Sequence, residues 1–277
     1  MQTLNCKGAL IDLSVPKVMG IINATPDSFY DGGKTVTLKE ILRQAEGMLN
    51  EGAAFLDIGG YSSRPGADDV SETEELQRVL PAVEAIIKEF PEAIISVDSF
   101  RSKVAKSAIE AGAAIVNDIS GGTKDIEMLS AVSKLKVPFI AMHMRGTPQT
   151  MSQLTEYTNI TRDVLAYFSE RLAAARAAGI DDIIADPGFG FAKTRAQSFE
   201  LLNNLELFKH LEVPYLIGVS RKSMIYKTIE TTADNALNGT TALHAIALLK
   251  GASILRVHDV QEAVECVSLL QAMQTNP

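Results

Sequence analysis

Eight short apolar runs recur along the chain: VMGIIN (18–23), AAFLDIGG (53–60), AIISVD (93–98), AAIVND (113–118), VPFIAMH (137–143), DIIAD (182–186), PYLIGVS (214–220) and SILRVH (253–258). They are near-continuous rather than alternating, which is the pattern of strands buried on both faces in a parallel sheet. Stretches with helical periodicity separate them. Between 155 and 178, Ile160, Val164, Phe168, Leu172 and Ala175 fall at 3/4 spacing. Further helices are predicted near 101–111, 124–135, 195–210, 234–250 and 260–272. Thr37-x-x-Glu40 and Ser71-x-x-Glu74 read as capping boxes that open two more. Pro81, inside 71–90, predicts a kink or a break. Eight strands alternating with eight helices give an α/β fold, and eight is the number that closes a barrel. The expected architecture is a (β/α)8 TIM barrel, one domain over 1–277. An open doubly wound sheet, which usually has fewer strands, is the runner-up. Lys7-Gly8, between two short apolar runs in the first 16 residues, predicts a β-hairpin that closes the barrel bottom.

Composition narrows the class. The 277 residues are 46% hydrophobic and 22% charged, which excludes disordered, collagenous and coiled-coil chains. Cys6 and Cys266 form no C-x-x-C pair, so a disulfide framework and a zinc knuckle are both excluded. No apolar run reaches the roughly 20 residues of a membrane span. The start MQTLNCKG lacks a signal-peptide core, so a reducing cytoplasm is expected. The net charge of −8 argues against nucleic-acid and anionic-membrane partners. Any anion must meet locally gathered basic groups.

In a β/α barrel the active site lies at the C-terminal ends of the strands. The residues closing the apolar runs are Asn23, Ser62-Ser63-Arg64, Asp98, Asn117-Asp118, His143, Asp186, Ser220-Arg221-Lys222, and Arg256 with His258. One polar strand end often only caps the next helix. Eight converging ones are harder to explain that way. Asp98, Asn117 and Asp186 carry acceptors and an amide donor suited to the edge of a flat heterocycle. Arg64, Arg221, Lys222, Arg256 and His258 are anion-binding types. A ligand with a polar heterocycle at one end and a phosphate at the other would use both groups. The Gly/Pro-rich loops 24–35 and 60–70, with Asp31 and Arg64 within them, have the character of lids.

Other motifs fail. Ser28 stands where a P-loop ending in Gly33-Lys34-Thr35 needs glycine, and Gly188-Phe189-Gly190 lacks the third glycine of a dinucleotide fingerprint. There is no H-E-x-x-H, no G-x-S-x-G and no clustered His/Cys set. His244, Met142 and Met144 read first as core, and His210 as a helix-end contact.

Together these motifs resemble one family. MGIINATPDSFYDGG (19–33) and GAAFLDIGGYSSRPGA (52–67) are similar to the two signatures of dihydropteroate synthases. The likeness continues through SVDSF (96–100), NDISGG (117–122), MHMRGTPQTM (142–151), DPGFGFAK (186–193), GVSRKSM (218–224) and RVHDV (256–260), in order over nearly the whole chain. The resemblance implies a transferase of folate biosynthesis and a target of sulfonamides. Such an enzyme joins 6-hydroxymethyl-7,8-dihydropterin diphosphate to p-aminobenzoate, with Mg²⁺, giving 7,8-dihydropteroate and diphosphate. It further implies a homodimer. Asp98, Asn117, Asp186 and Lys222 would hold the pterin, with Met142 among the substrate contacts and Arg256 stacked on the ring face. Asn23, Ser63, Arg64 and His258 would face the diphosphate, Asn23 also as the Mg²⁺ ligand. Phe191, Pro65 and Ser223 would border the p-aminobenzoate pocket. Asp31, Arg64, Lys222, Arg256 and His258 form the implied catalytic set.

Three positions depart from the family pattern. Ser63 stands where Thr is usual, Tyr61 where Glu or Gln is usual, and Ala192 where Gly is common, the last a minor change. The chemistry agrees with the resemblance. A neutral arylamine needs no general base, and an electron-rich dihydropterin can carry positive charge as diphosphate leaves, so a dissociative substitution is expected. A pterin-binding module of the corrinoid methyltransferase type and a non-catalytic paralogue are the competing readings. The first would not need Arg64, Lys222 and His258 arranged for a diphosphate.

Overall fold

The computed structural model describes residues 2–24, 37–62 and 69–275. The chain opens with β1 (Thr3–Cys6) and β2 (Ala9–Asp12), paired antiparallel. Lys7 and Gly8 both take positive φ, 53° and 94°, which a two-residue hairpin turn matched to strand twist requires.

The barrel follows. Its strands are β3 (Lys17–Asn23), β4 (Phe55–Gly59), β5 (Ile95–Asp98), β6 (Ile115–Asp118), β7 (Phe139–Met142), β8 (Ile183–Asp186), β9 (Leu216–Ile217) and β10 (Ile254–Val257). All are parallel, in the order β8-β7-β6-β5-β4-β3-β10-β9, and a single bridge from Ala185 to Tyr215 joins β8 to the start of β9. Every predicted apolar run is a strand, and the ring is a (β/α)8 TIM barrel.

Around it lie α1 (Leu38–Asn50), α2 (Glu72–Glu89), α3 (Ser102–Glu110), α4 (Met128–Leu135), α5 (Ile160–Ala177), α6 (Arg195–Asn203), the short α7 (Ser223–Tyr226), α8 (Leu237–Leu249) and α9 (Val260–Thr275). The predicted 3/4 stripe of α5 is its buried face. Thr37 and Glu40 form a full capping box, whereas Ser71 caps α2 alone because the Glu74 carboxylate turns to Arg78. Of the kink or break expected at Pro81, the break does not occur, since α2 runs through it. Pro81 and Gln77, whose carbonyl loses its helical donor, both lie on the solvent face, where water can serve that carbonyl.

Side chains alternate along each strand. Met19, Phe55, Ile115, Ile140, Ile184, Leu216 and Ile254 point inward near the strand starts and form one dry cluster with Leu4, Cys6 and Leu13. The hairpin thus closes the barrel bottom. A bond from the Asn5 amide to the Asp182 carboxylate at 2.7 Å and one from the Lys7 ammonium to the Ile109 carbonyl at 3.0 Å fasten it there.

Candidate active site

The same alternation delivers the site. Counting in twos from the inward residues at the bottom reaches Asn23, Asp57 and Gly59, Asp98, Asn117, Met142, Asp186, Gly218 and Arg256 at the mouth. Of the predicted strand-end residues, Asn23, Asp98, Asn117, Asp186 and Arg256 therefore converge on the barrel interior.

Arg256 is their hub. Its Nε donates to Asp57 Oδ2 at 2.6 Å and its Nη2 to Asp98 Oδ2 at 2.8 Å. Asn117 Nδ2 donates to the same Asp57 oxygen at 3.0 Å. Two carboxylates thus share one guanidinium. Burial pushes the Asp98 carboxyl up to about 7, against the pull of Arg256 and with the help of Asp57. Burial opposes the charge on Arg256, but Asp57 and Asp98 outweigh it and raise its pKa further. Asp57 is the residue that strand-end reasoning missed, because it sits mid-strand. A carboxylate inside FLDIG, in phase with inward-facing Phe55, was the available signal.

Opposite, Asp186 accepts from the Gly188 amide at 2.8 Å, and burial raises its pKa. Lys222 donates to the Phe189 carbonyl and stands 4.7 Å from the centre of the Phe191 ring. Burial lowers its pKa to about 8, with Asp186 opposing the shift. A Cβ at Gly218 would come within 4.0 Å of Lys222 Nζ and of Arg256 Cβ, so glycine there leaves space beside both cations. Ile119, Met142, Met144, Met151 and Ala192 make an apolar shelf with Phe100 and Phe191. Met142 is therefore both packed and at the site.

His258 lies exposed on the rim, its Nδ1 3.1 Å from Ser220 Oγ. Ser223 is exposed at the start of α7. Asn23 is half-buried at the end of β3. Its amide oxygen is a hard donor of the kind Mg²⁺ accepts, and one such protein ligand suffices when waters and phosphates fill the rest. Among the described residues no group of three or more His, Cys, Asp or Glu could hold a metal by itself. Asp31, Ser63, Arg64 and Pro65 lie outside the described residues.

Arg221 needs a correction. Grouped with the anion binders, it instead holds Asp259 through two bonds of 2.7 and 2.9 Å and donates to the Ala233 and Asp234 carbonyls. Its φ of 54° turns its side chain to this frame-building task. His244 is buried as read, with Nε2 unpartnered among the described residues and its pKa lowered to about 4 by burial. Tyr61, one of the departures, accepts from Gln149 at 3.0 Å and donates to Asp69 at 3.1 Å. It ties the residues before 63 to those after 68.

A dry barrel with carboxylates, an amide and cations gathered at one mouth suits a flat polar ring with an anionic tail. A family described as pterin binding enzymes matches residues 19–258. The chain is 43% identical to the dihydropteroate synthase of Escherichia coli K12 over 97% of its own length and 95% of that protein's. The chain belongs to the dihydropteroate synthase family. Two solved structures agree with it. The Xanthomonas albilineans dihydropteroate synthase with 4-aminobenzoic acid superposes with a TM-score of 0.92 at 39% identity, covering 99% of both chains. The Yersinia pestis dihydropteroate synthase with a sulfonamide drug gives 0.94 at 40% identity, covering 99% of this chain and all of that one. Family membership sets aside the corrinoid methyltransferase-type reading of the sequence.

Proposed function

We propose that this chain catalyses its family's reaction through the mouth just described, as one pterin-binding barrel domain. 6-Hydroxymethyl-7,8-dihydropterin diphosphate and p-aminobenzoate enter, and 7,8-dihydropteroate and diphosphate leave. The observation that carries the assignment of residues is the group at the barrel mouth formed by Asp57, Asp98, Asn117, Asp186 and Arg256 from five strands, with Lys222 from the segment after β9. Asp186 would accept from the amino-pyrimidinone edge, Asn117 and Asp98 would meet the ring's other polar atoms, and Arg256, held by two carboxylates, would lie against its face. Asn23, Ser63, Arg64 and His258 would receive the diphosphate. Mg²⁺ would be held by the Asn23 amide oxygen and supply charge neutralisation for the leaving group. Phe191, Pro65 and Ser223 would border the arylamine, with Asp31 entering from the first long loop.

The residues motivate a dissociative course. No described side chain is placed as a general base toward an amine, and a neutral arylamine needs none. The cations instead stabilise the charge that grows on departing diphosphate, while Lys222 holds the pterin and Phe191 orients the incoming ring. Rates with para-substituted anilines test this. A chemical step indifferent to amine basicity supports it, and a steep dependence rejects it. The activity itself is checked by diphosphate release. Release must require both substrates together. No release with both would remove the assignment, and so would a rate with both no faster than with the pterin diphosphate alone.

We also read the chain as a homodimer. Ala242, Ala245, Ile246 and Leu249 form an exposed apolar stripe on α8, whose opposite face is buried against the barrel, and Leu269 and Met273 are exposed on neighbouring α9. A helix apolar on both faces fits burial on both sides. Sedimentation equilibrium should return twice the chain mass, and a monomer at micromolar concentration refutes this. Among the described residues no helix is long and apolar enough to cross a membrane. With Cys6 and Cys266 both buried free thiols, a reducing cytoplasm is the compartment proposed.

A further inference from the structure

Lys193 is an unusual burial. The side chain is 7% exposed, and among the described residues the other lysines keep to the rim or surface. Its ammonium has three acceptors within 3.0 Å: His143 Nδ1 at 2.8 Å, the Gly188 carbonyl at 2.9 Å and the Phe191 carbonyl at 3.0 Å. The His143 carbonyl stands at 3.4 Å as a fourth acceptor, so all three hydrogens of the ammonium are taken. Burial pushes the Lys193 pKa down, and Asp186 is the carboxylate that opposes the shift. Burial likewise pulls His143 far below the usual imidazole range, which leaves its ring neutral and able to accept.

The three acceptors belong to the two segments that shape one side of the site. His143 follows β7, and Gly188 and Phe191 lie in the turn after β8. The turn is already seated on β7. The His143 amide donates to the Asp186 carbonyl at 2.9 Å, and a Cβ at Gly188 would lie 2.1 Å from the His143 carbonyl oxygen, so only glycine allows that approach. Within the turn, the Phe189 carbonyl takes Lys222, and the Phe191 ring faces the same ammonium. A methionine in place of Lys193 would fill the space without the cost of burying charge. It would also leave the Phe191 carbonyl and a ring nitrogen without donors, and the Gly188 carbonyl with the Phe191 amide alone.

We propose that Lys193 is a positioning residue, which clamps the 187–193 turn onto His143 and thereby sets the Phe191 ring for the arylamine. The inference rests on the reading that Phe191 borders the p-aminobenzoate side. Lys193 itself touches no substrate.

The test separates positioning from general stability. In Lys193→Met, the KM for p-aminobenzoate should rise about tenfold, with kcat at saturation nearly kept. The affinity for pterin diphosphate, measured by calorimetry, should hardly move. His143→Leu should reproduce the effect, and His143→Asn, which keeps an acceptor near Nδ1, should restore the wild-type KM. An unchanged KM in folded Lys193→Met overturns the proposal. So does a parallel fall of kcat and both affinities, as a lysine of purely structural value would give. Should Lys193→Met fail to fold, the His143 pair decides. Rescue by Asn but not by Leu supports the clamp, and equal KM values refute it. Phe191→Ala tells the two layers apart. If it leaves KM unchanged, the reading of the arylamine side fails. If it raises KM while Lys193→Met does not, only the clamp fails.

Discussion

The two ends of the barrel are built from the same strands and obey opposite rules. At the bottom, Leu4, Leu13, Phe55, Ile140, Ile184 and Ile254 are all at most 6% exposed, and the hairpin covers them. At the mouth, the residues two or more places further along the same strands are Asp57, Asp98, Asn117, Asp186 and Arg256, with little exposure and heavy charge. The lower layer contributes transfer energy without electrostatic cost. The upper layer carries the cost of desolvating several charges and recovers it only in part through ion pairs. The comparison teaches that stability and chemistry are segregated along the strand direction, and substitutions at the two ends should separate them too.

The largest effect is expected at the rim. Replacing His258 or Arg64 by Ala should lower kcat by about 10²–10³, because a donor to developing negative charge acts mainly in the transition state. Thermal unfolding should stay close to wild type, since His258 is exposed. A loss confined to KM would mean that the contact is already complete in the ground state. The bottom should answer in reverse. Leu4 is fully buried, and Leu4→Ala should cost about 2–5 kcal/mol in chemical denaturation. Both KM values should remain as they were. A bottom substitution that altered substrate affinity would break the segregation.

Within the mouth, Asp186→Ala should leave the heterocycle edge and the Gly188 amide unpaired. The expected loss is about 1–3 kcal/mol, up to roughly a hundredfold in affinity for pterin diphosphate. The apparent affinity for p-aminobenzoate in the saturated complex should change far less. Calorimetric titration of a folded variant checks this, and unchanged pterin binding would take Asp186 out of the ring site.

How legible each end was follows from the same geometry. Continuous apolar runs revealed all eight strands, and their polar endings revealed Asn23, Asp98, Asn117, Asp186, Lys222, Arg256 and His258. Those signals are local. Asp57 escaped because it closes no run, and Lys193 because a lysine seven residues beyond a strand reads as a surface group until the turn folds back over β7. Arg221 was misread for the complementary reason. Its strand-end position is right, but its partner Asp259 lies 38 residues away and only packing brings the two together. Pro81 does not break its helix because it lies on the solvent face, and the rule for proline ignores which face of the helix it occupies. Asp31, Ser63, Arg64 and Pro65, outside the described residues, rest on the family resemblance.

Acidity offers a finer probe. Asp98 has its pKa raised by burial to about 7 from an ordinary 3.8. A raised carboxyl means that the folded chain holds a proton the unfolded chain has released between those values. Its contribution to stability is therefore complete below about 4 and is lost as pH climbs toward 7, with a slope of at most about 1.4 kcal/mol per pH unit. Asp98→Asn should flatten that stretch of the stability profile while leaving the bottom's contribution untouched. Urea denaturation at several pH values between 4.5 and 8 reads it directly. A slope that persists in the variant would place the titrating proton elsewhere, with Asp118, raised by burial to about 6, the next group to replace.

The smallest effect is expected where the mouth stores strain. Ala192 is 1% exposed and has a φ of 49°, the left-handed region that suits glycine. That conformation explains why glycine is common there in the family. Ala192→Gly would relieve about 1–2 kcal/mol of backbone strain. It would also give up a buried methyl worth about 0.8 kcal/mol on the shelf of Met142, Met144 and Met151. Added freedom in the unfolded chain costs about another 0.5–1 kcal/mol. The three nearly cancel, so the melting temperature should shift by no more than about 3 °C in either direction. A clear gain would show that strain outweighs packing at this turn. A clear loss would show that the Ala192 methyl holds the shelf, and that the upper layer, like the lower one, depends on close apolar contact.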